Sequence, residues 1–272
     1  IFSEGVEICF AHQSFKWKNL AKSNAGVTCV IIGLGNPGIR SKKIYFDGQY
    51  IESKHINAYL VDGKDIFVES RSKPISKFPE MNFGNMPADG GKLLFTQQEK
   101  DDFFEKEPGA QKWFRKLISA DEFLNGKNRY CLWLKDISAT DLNKLPLVKR
   151  RIEELKKIRL ASSRPQLANI PHLFAQITQP EGISYILIPR HSSENRDYIP
   201  MDIFSKNEIA HDSCLIVPAD EKYMFTVLTS KIHMVWMRAI GGKLETRYRY
   251  SKDLVYNTFP FPDITAKQKE SL

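Results

Sequence analysis

The run "SKPISKFPEMNFGNMPADGG", residues 72–91, packs three prolines and three glycines into twenty positions. Proline fixes φ and removes an amide donor, and glycine costs backbone entropy in any regular element, so neither a helix nor a central strand runs through it. The chain is therefore read as two parts, residues 1–75 and residues 76–272, joined by an ordered but irregular connection.

The first part reads as mostly β. Residues 6–11 and 27–34 are short apolar runs, expected to be buried strands, with "SFKWKNLAKSNA" looping between them. Asp47-Gly48 and Asp62-Gly63 each follow a strand-like stretch and suit the positive φ angles of a two-residue hairpin, so two hairpins are expected.

Helices appear in the second part. Thr96 with Glu99 and Ser119 with Glu122 have capping-box spacing, which places helix starts near 97 and 120. Pro108-Gly109 breaks the first of these, and Asn125-Gly126 ends the second before the strand "RYCLWL". From Pro146 to about Leu160, Val148, Ile152, Leu155 and Ile158 fall at helical spacing, with Lys149, Arg150, Arg151, Lys156, Lys157 and Arg159 assigned to a basic opposite face. Strands are expected at "FAQIT", "ISYILIP" and "SCLIVP", then one helix from Lys222 to about Arg238 and a basic aromatic run "RYRYSKDLVYNTFPFP". The expected fold class is α+β.

A formal charge of +8 points toward a polyanionic partner without proving one. The apolar runs fall short of the roughly 20 residues a membrane helix needs, so no membrane partner is expected. Cys9, Cys29, Cys131 and Cys214 are widely spaced among apolar neighbours and read as buried thiols of a cytoplasmic protein rather than as disulfide or metal ligands. The six histidines show no ligand spacing, and no metal site is expected. Gly33, Gly35 and Gly38 satisfy Gly-x-Gly-x-x-Gly, but Pro37 and the strand-like "KKIYF" follow where a nucleotide site needs a helix. "PADEKY", residues 218–223, lacks the acidic spacing of a nuclease.

Five blocks, in order, carry a family resemblance: "FAHQSFKWKNLAKSNAGVTCVIIG", "FGNMPADGGKLLF", "FLNGKNRYCLWL", "IPRHSSENRDYIP" and "SKIHMVWMRAIGGKLETRYRYSKDLVYNTFPFP". Together they resemble the MmeI-like restriction-modification enzymes (type IIG/IIL), bacterial single chains with a nuclease, an adenine-N6 DNA methyltransferase and a target-recognition domain. The resemblance implies that residues 1–75 are the C-terminal strands of a class I methyltransferase domain and that 76–272 form a mixed α/β DNA target-recognition domain. The family's cofactor-binding glycine motif and its Asn-Pro-Pro-Tyr motif do not occur here. The segment alone is thus expected to hold no catalytic residue, to bind no S-adenosylmethionine and to transfer no methyl group. S-adenosylmethionine, with Mg for cleavage, is implied for the parent enzyme. The implied partners are double-stranded DNA and the upstream methyltransferase and nuclease domains of the same chain.

Residue roles follow from the resemblance. "SFKW" matches the segment that packs against a flipped base, so Phe15 or Trp17 is expected to touch the target adenine, with Lys16 and Lys18 near phosphate. Further backbone contacts are assigned to Arg164, Arg247, Arg249 and Lys252, because cations at phosphates position a protein on DNA. Base readout is assigned to Arg190, Ser192, Ser193, Glu194, Arg196 and Tyr198. If that segment is extended, Glu194 and Arg196 point the same way and suit a G·C pair, arginine donating to guanine and glutamate accepting from cytosine N4. His191 and Asn195 would face the other way, their role open. Two other classes fit the composition: a non-enzymatic nucleic-acid binder with a basic groove and aromatic platforms, and a scaffold whose charge is incidental.

Overall fold

The computed structural model describes residues 2–17, 27–38, 41–219, 222–244, 247–265 and 267–268. Its first strand, β1 (Glu7–Lys16), pairs antiparallel with β2 (Thr28–Gly35), while β3 (Lys42–Phe46) runs parallel to β1 on its other side. A hairpin joins β3 to β4 (Gln49–Ser53), completing the order β2-β1-β3-β4. Asp47 and Gly48 take φ of 47° and 76°, the positive pair that matches strand twist across a two-residue loop. Ile8, Ala11, Ile44, Ile56 and Leu60 form the core of this sheet. Lys42 is buried against it and reaches Glu7 at 2.8 Å, an ammonium that holds the Glu7 carboxyl below the usual range.

Two expectations for this region need correction. β2 is no buried strand: it is an edge strand of its sheet, and Val30, Ile31, Ile32 and Leu34 are exposed. Asp62-Gly63 forms no hairpin of strands. The chain reverses earlier, where the Asn57 side chain accepts from the amides of Tyr59 and Val61 and Leu60 sits at φ 58°. Asp62 lies on the return leg, bridged to Ile56 and accepting the Ser53 hydroxyl at 2.6 Å.

Beyond the irregular connection come β5 (Asn82–Phe83), β6 (Leu94–Thr96) and α1 (Gln97–Lys106), the helix opened by a complete capping box between Thr96 and Glu99. After β7 (Phe114–Ile118), α2 (Ala120–Asn125) starts on Ser119 and ends at Gly126 in the left-handed region. β8 (Arg129–Leu132), α3 (Ala139–Asn143) and α4 (Pro146–Leu160) follow. β7 and β8 form the centre of a sheet of order β12-β7-β8-β6, where β12 is Ile209–Ala210. Another sheet has the order β11-β9-β13-β5, built on the fully buried β9 (Tyr185–Pro189) between β11 (Asp202–Phe204) and β13 (Cys214–Pro218). "FAQIT" is not a strand there; Gln176 makes only a single bridge to Met86.

α4 also departs from its expected faces. Val148, Ile152 and Leu155 are buried, but Ile158 is exposed and Arg159 takes the fourth inward position. The Arg159 guanidinium donates to the carbonyls of Pro87, Ala88, Leu167, Ile170 and Leu173, at 2.8 to 3.3 Å. Burial pulls its pKa down, yet five acceptors compensate the buried charge.

Near the C-terminus the single expected helix is two, α5 (Lys222–Leu228) and α6 (Lys231–Ile240), because Ser230 caps a new start by accepting from the His233 amide. The remaining strands are β10 (His191–Ser192), β14 (Gly242–Leu244) and β15 (Arg247–Arg249), in the order β10-β15-β14. A one-turn π-helix, Lys252–Tyr256, packs the Tyr256 ring against Phe261, which in turn packs on Phe259. His233 is buried among these rings and held to the Tyr250 hydroxyl at 2.8 Å, and burial lowers its pKa to about 4. Cys131 and Cys214 are buried, with the Cys214 thiol pushed up to about 12, whereas Cys9 and Cys29 are half-buried.

Packing divides the chain into two compact units that do not follow the linear division at residue 75. The first gathers Ile1–Lys77, His191–Tyr198 and Ser230–Pro262; the second gathers Phe78–Arg190, Ile199–Thr229 and Asp263–Leu272. Within the first, residues 71–76 are bound to the C-terminal segment: Arg71 and Ile75 donate amides to the carbonyls of Asp253 and Asn257, and Asn257 donates back to the Arg71 carbonyl at 2.7 Å.

Replacing Arg159 by Met removes a buried cation and takes one donor from each of five carbonyls, of which Pro87, Leu167 and Ile170 keep a backbone amide. The second unit is expected to lose about 3 kcal/mol or more of stability, read as a lowered thermal midpoint with unchanged secondary structure below it.

Candidate nucleic-acid interface

The "SFKW" segment is the end of β1. Phe15 lies opposite Cys29 beyond an irregularity in the β1–β2 register, and the Trp17 amide extends the ladder to the Val27 carbonyl at 2.9 Å. The register shift between His12 and Phe15 breaks strict alternation, so side-chain direction here is not readable from period two. Phe15 is half-buried and Trp17 is 51% exposed; their rings are 6.4 Å apart and tilted by 42°. An open cavity of about 620 Å³ is lined by Gln13, Phe15, Lys16, Tyr45, Asp47 and Gln49, among others, but not by Trp17. His12 stacks on Tyr45 along this wall at 4.4 Å. Lys18 lies outside the described residues.

Sequence-distant segments meet in the same unit. β10 begins the 191–198 segment and pairs with β15, setting His191 opposite Arg249 and Ser192 opposite Tyr248. Arg247 and Arg249, two apart on a strand, share one face of this sheet and are exposed. The other face carries Tyr248 with the Arg238 guanidinium 6.0 Å from its ring.

Residues 193–196 form a turn, not the extended run the alternation argument required. The Arg196 amide donates to the Ser193 carbonyl at 3.3 Å, and the Asn195 amide donates to the Ser193 hydroxyl at 3.2 Å. Glu194 and Arg196 are therefore not aligned by strand period. The Lys16 ammonium lies 3.2 Å from Glu194 Oε1. Arg196 and Tyr198 are exposed, and the Arg238 guanidinium pins the segment by donating to the Asp197 carbonyl at 2.6 Å.

Several assigned residues sit elsewhere or are engaged. Ser192 is buried, so its hydroxyl offers no surface to a base. Arg190 belongs to the second unit, where its guanidinium lies 4.9 Å from the Phe83 ring centroid and donates to the Asp212 carbonyl at 3.4 Å. Arg164 is in the second unit too, exposed, with Nη1 3.7 Å from the Met86 sulfur. Lys252 is half-buried and paired with the neighbouring Asp253 at 3.7 Å. Arg238 was not singled out by sequence; a cation in the last turn of an amphipathic helix carries no signal beyond favourable dipole placement.

Among the described residues no group of His, Cys, Asp or Glu is arranged to hold a metal ion, and no helix is long and apolar enough to cross a membrane. Gly33–Gly38 leads from β2 toward β3 and supplies no helix N-terminus for a nucleotide.

Comparison with known proteins gives the arrangement its context. Residues 62–263 match the family described as the target recognition domain of MmeI, and residues 1–46 match the MmeI DNA-methyltransferase domain. DNA methyltransferase A of Bacillus subtilis (strain 168) is 40% identical over 276 residues, covering 100% of this chain and 31% of that protein. The solved structure of the type IIL restriction-modification enzyme MmeI in complex with DNA superposes with a TM-score of 0.90 at 42% identity, over 99% of this chain and 37% of that one. This chain thus spans about a third of the length of the relatives it matches. It belongs to the MmeI family, carrying the family's target recognition domain preceded by the end of its DNA-methyltransferase domain.

Proposed function

We propose that this chain reads a specific sequence in duplex DNA for an enzyme that methylates adenine at N6 and cleaves DNA, and that Phe15 or Trp17 packs against the flipped base. The observation that carries the reading is the assembly, in one unit, of the β1 end, the 191–198 segment and the Arg247/Arg249 face. Aromatic rings next to an open cavity suit a base, which any extruding enzyme must shelter. Paired arginines on one strand face suit phosphates. In the turn, Glu194 and Arg196 offer a carboxylate acceptor and a forked donor to base edges.

The described residues do not fit a methyl-donor site, since the glycine run joins strand to strand. S-adenosylmethionine and Mg are therefore assigned to other parts of the enzyme, and the chain by itself is expected to bind no donor. The exposed apolar edge β2 is proposed to pair with the rest of the methyltransferase sheet, because unpaired edge amides and carbonyls seek a strand partner. The enzyme is proposed to act in the cytoplasm, on the reading that its substrate is bacterial DNA.

Substituting Arg247 and Arg249 together by Ala is expected to weaken duplex binding at every sequence and to lower the slope of log K against log salt by about 1.8, near 0.9 per phosphate lost. A loss confined to one DNA sequence would instead make these arginines base readers, and preference for single strands would favour the non-enzymatic binder.

In the full-length protein, Phe15→Ala and Trp17→Ala are each to be assayed for methyl transfer. Whichever ring stacks the base is expected to cost about 1 to 3 kcal/mol of transition-state binding, with little change in melting. Normal turnover in an early-melting variant would assign that ring to the core.

Exchanging Glu194→Lys together with Arg196→Asp, followed by mapping of methylated sites, is expected to change one position of the recognised sequence. An unchanged site bound more weakly throughout would remove both residues from base reading.

A further inference from the structure

The Lys16–Glu194 ion pair has no evident purpose in folding. The Lys16 side chain is 63% exposed and that of Glu194 is 24% exposed, and pairs of this kind contribute little to stability. What the pair does is geometric. Ser193, Arg196 and Arg238 fix the backbone of the 193–197 turn through three hydrogen bonds. They leave the three side-chain torsions of Glu194 to be settled by its own partners, and the ammonium 3.2 Å from Oε1 is one of them.

Lys16 comes from β1, so this partner stands on a strand and not on a loop. It also lines the cavity beside Phe15, which places one residue at both the aromatic wall and the recognition turn.

Resting on the reading that Glu194 accepts from a base edge, we propose that Lys16 is a positioning residue for that readout. Its ammonium orients the carboxylate so that a base amino group meets a fixed acceptor, and an oxygen-bearing base edge meets a negative charge that cannot swing aside. A freely rotating carboxylate would turn away from the wrong base and discriminate less. Discrimination at one base pair thus depends on a residue of the strand that carries the base-packing aromatics, outside the recognition segment itself. This goes further than a phosphate contact for Lys16, which would act equally on all sequences.

The test uses the full-length protein and a set of duplexes: its own mapped site, and that site with each base pair changed in turn. Initial methylation rates give a discrimination ratio per position for the wild type, Lys16→Met, Lys16→Arg and Glu194→Gln. Each ratio compares two DNAs on one protein preparation, so partial unfolding cancels. If Lys16→Met is too slow to assay, competition binding of the same duplexes supplies the ratios. The expected result is a loss of about tenfold in Lys16→Met at the single position that Glu194→Gln also relaxes, with Lys16→Arg retaining the wild-type ratio there. Equal slowing of Lys16→Met on every duplex, with Glu194→Gln still relaxing one position, would overturn the positioning role and leave base reading by Glu194 standing. Unchanged ratios at all positions in Glu194→Gln would overturn both.

Discussion

The second unit depends on one buried cation. Arg159 collects carbonyls from the Pro87–Ala88 loop and from the Leu167–Leu173 stretch, which runs out of a short 3-10 helix, Pro165–Asn169, and neither segment lies in a strand or an α-helix. A guanidinium is the one side chain with enough donors in a fixed fork to satisfy five acceptors at once. Asp89 continues the same solution from the other end, accepting the amides of Leu93 and Leu94 as the chain enters β6. Asn85 does the equivalent work near β12, donating to the Ala210 carbonyl and accepting from the amides of Thr178 and Gln179. Irregular backbone can be buried here because side chains replace the missing secondary structure.

Much of the scaffold was legible in the sequence, and the failures have physical causes. Cap residues and Asp-Gly turns act locally, so Thr96, Gly126 and Asp47-Gly48 stand where the local chemistry puts them. Arg159 reads as a surface residue from its charge but as a core residue from its spacing, and the spacing prevails: 148, 152, 155 and 159 form one continuous stripe. β2 reads as a core strand since its composition suits burial, but burial depends on what lies beside a strand, and composition carries no information about that. Asp62-Gly63 failed because Asn57 had already closed the turn.

The candidate interface was legible as a set of segments but not as an arrangement. Nothing along the chain shows that residues near 15, near 194 and near 248 share a unit; β10–β15 pairing is a long-range event with two-residue partners. The strand alternation used to align Glu194 with Arg196 failed at a turn set by the Ser193 hydroxyl and carbonyl. What sequence could not supply was that Lys16, 178 positions away on β1, is a partner of Glu194.

The route of the chain through the 191–198 segment has its own consequence. The chain leaves the second unit after the buried Pro189 and the half-buried Arg190, and re-enters it at Ile199, which is buried. Eight residues separate these two positions of the second unit, so the length of the segment is constrained at both ends, whereas the exposed side chains of Asn195, Arg196, Asp197 and Tyr198 are constrained less by packing. Such a segment can change letters without changing length. Diversification by point replacement, with insertions and deletions penalised at both ends, is the mode of change that this layout favours.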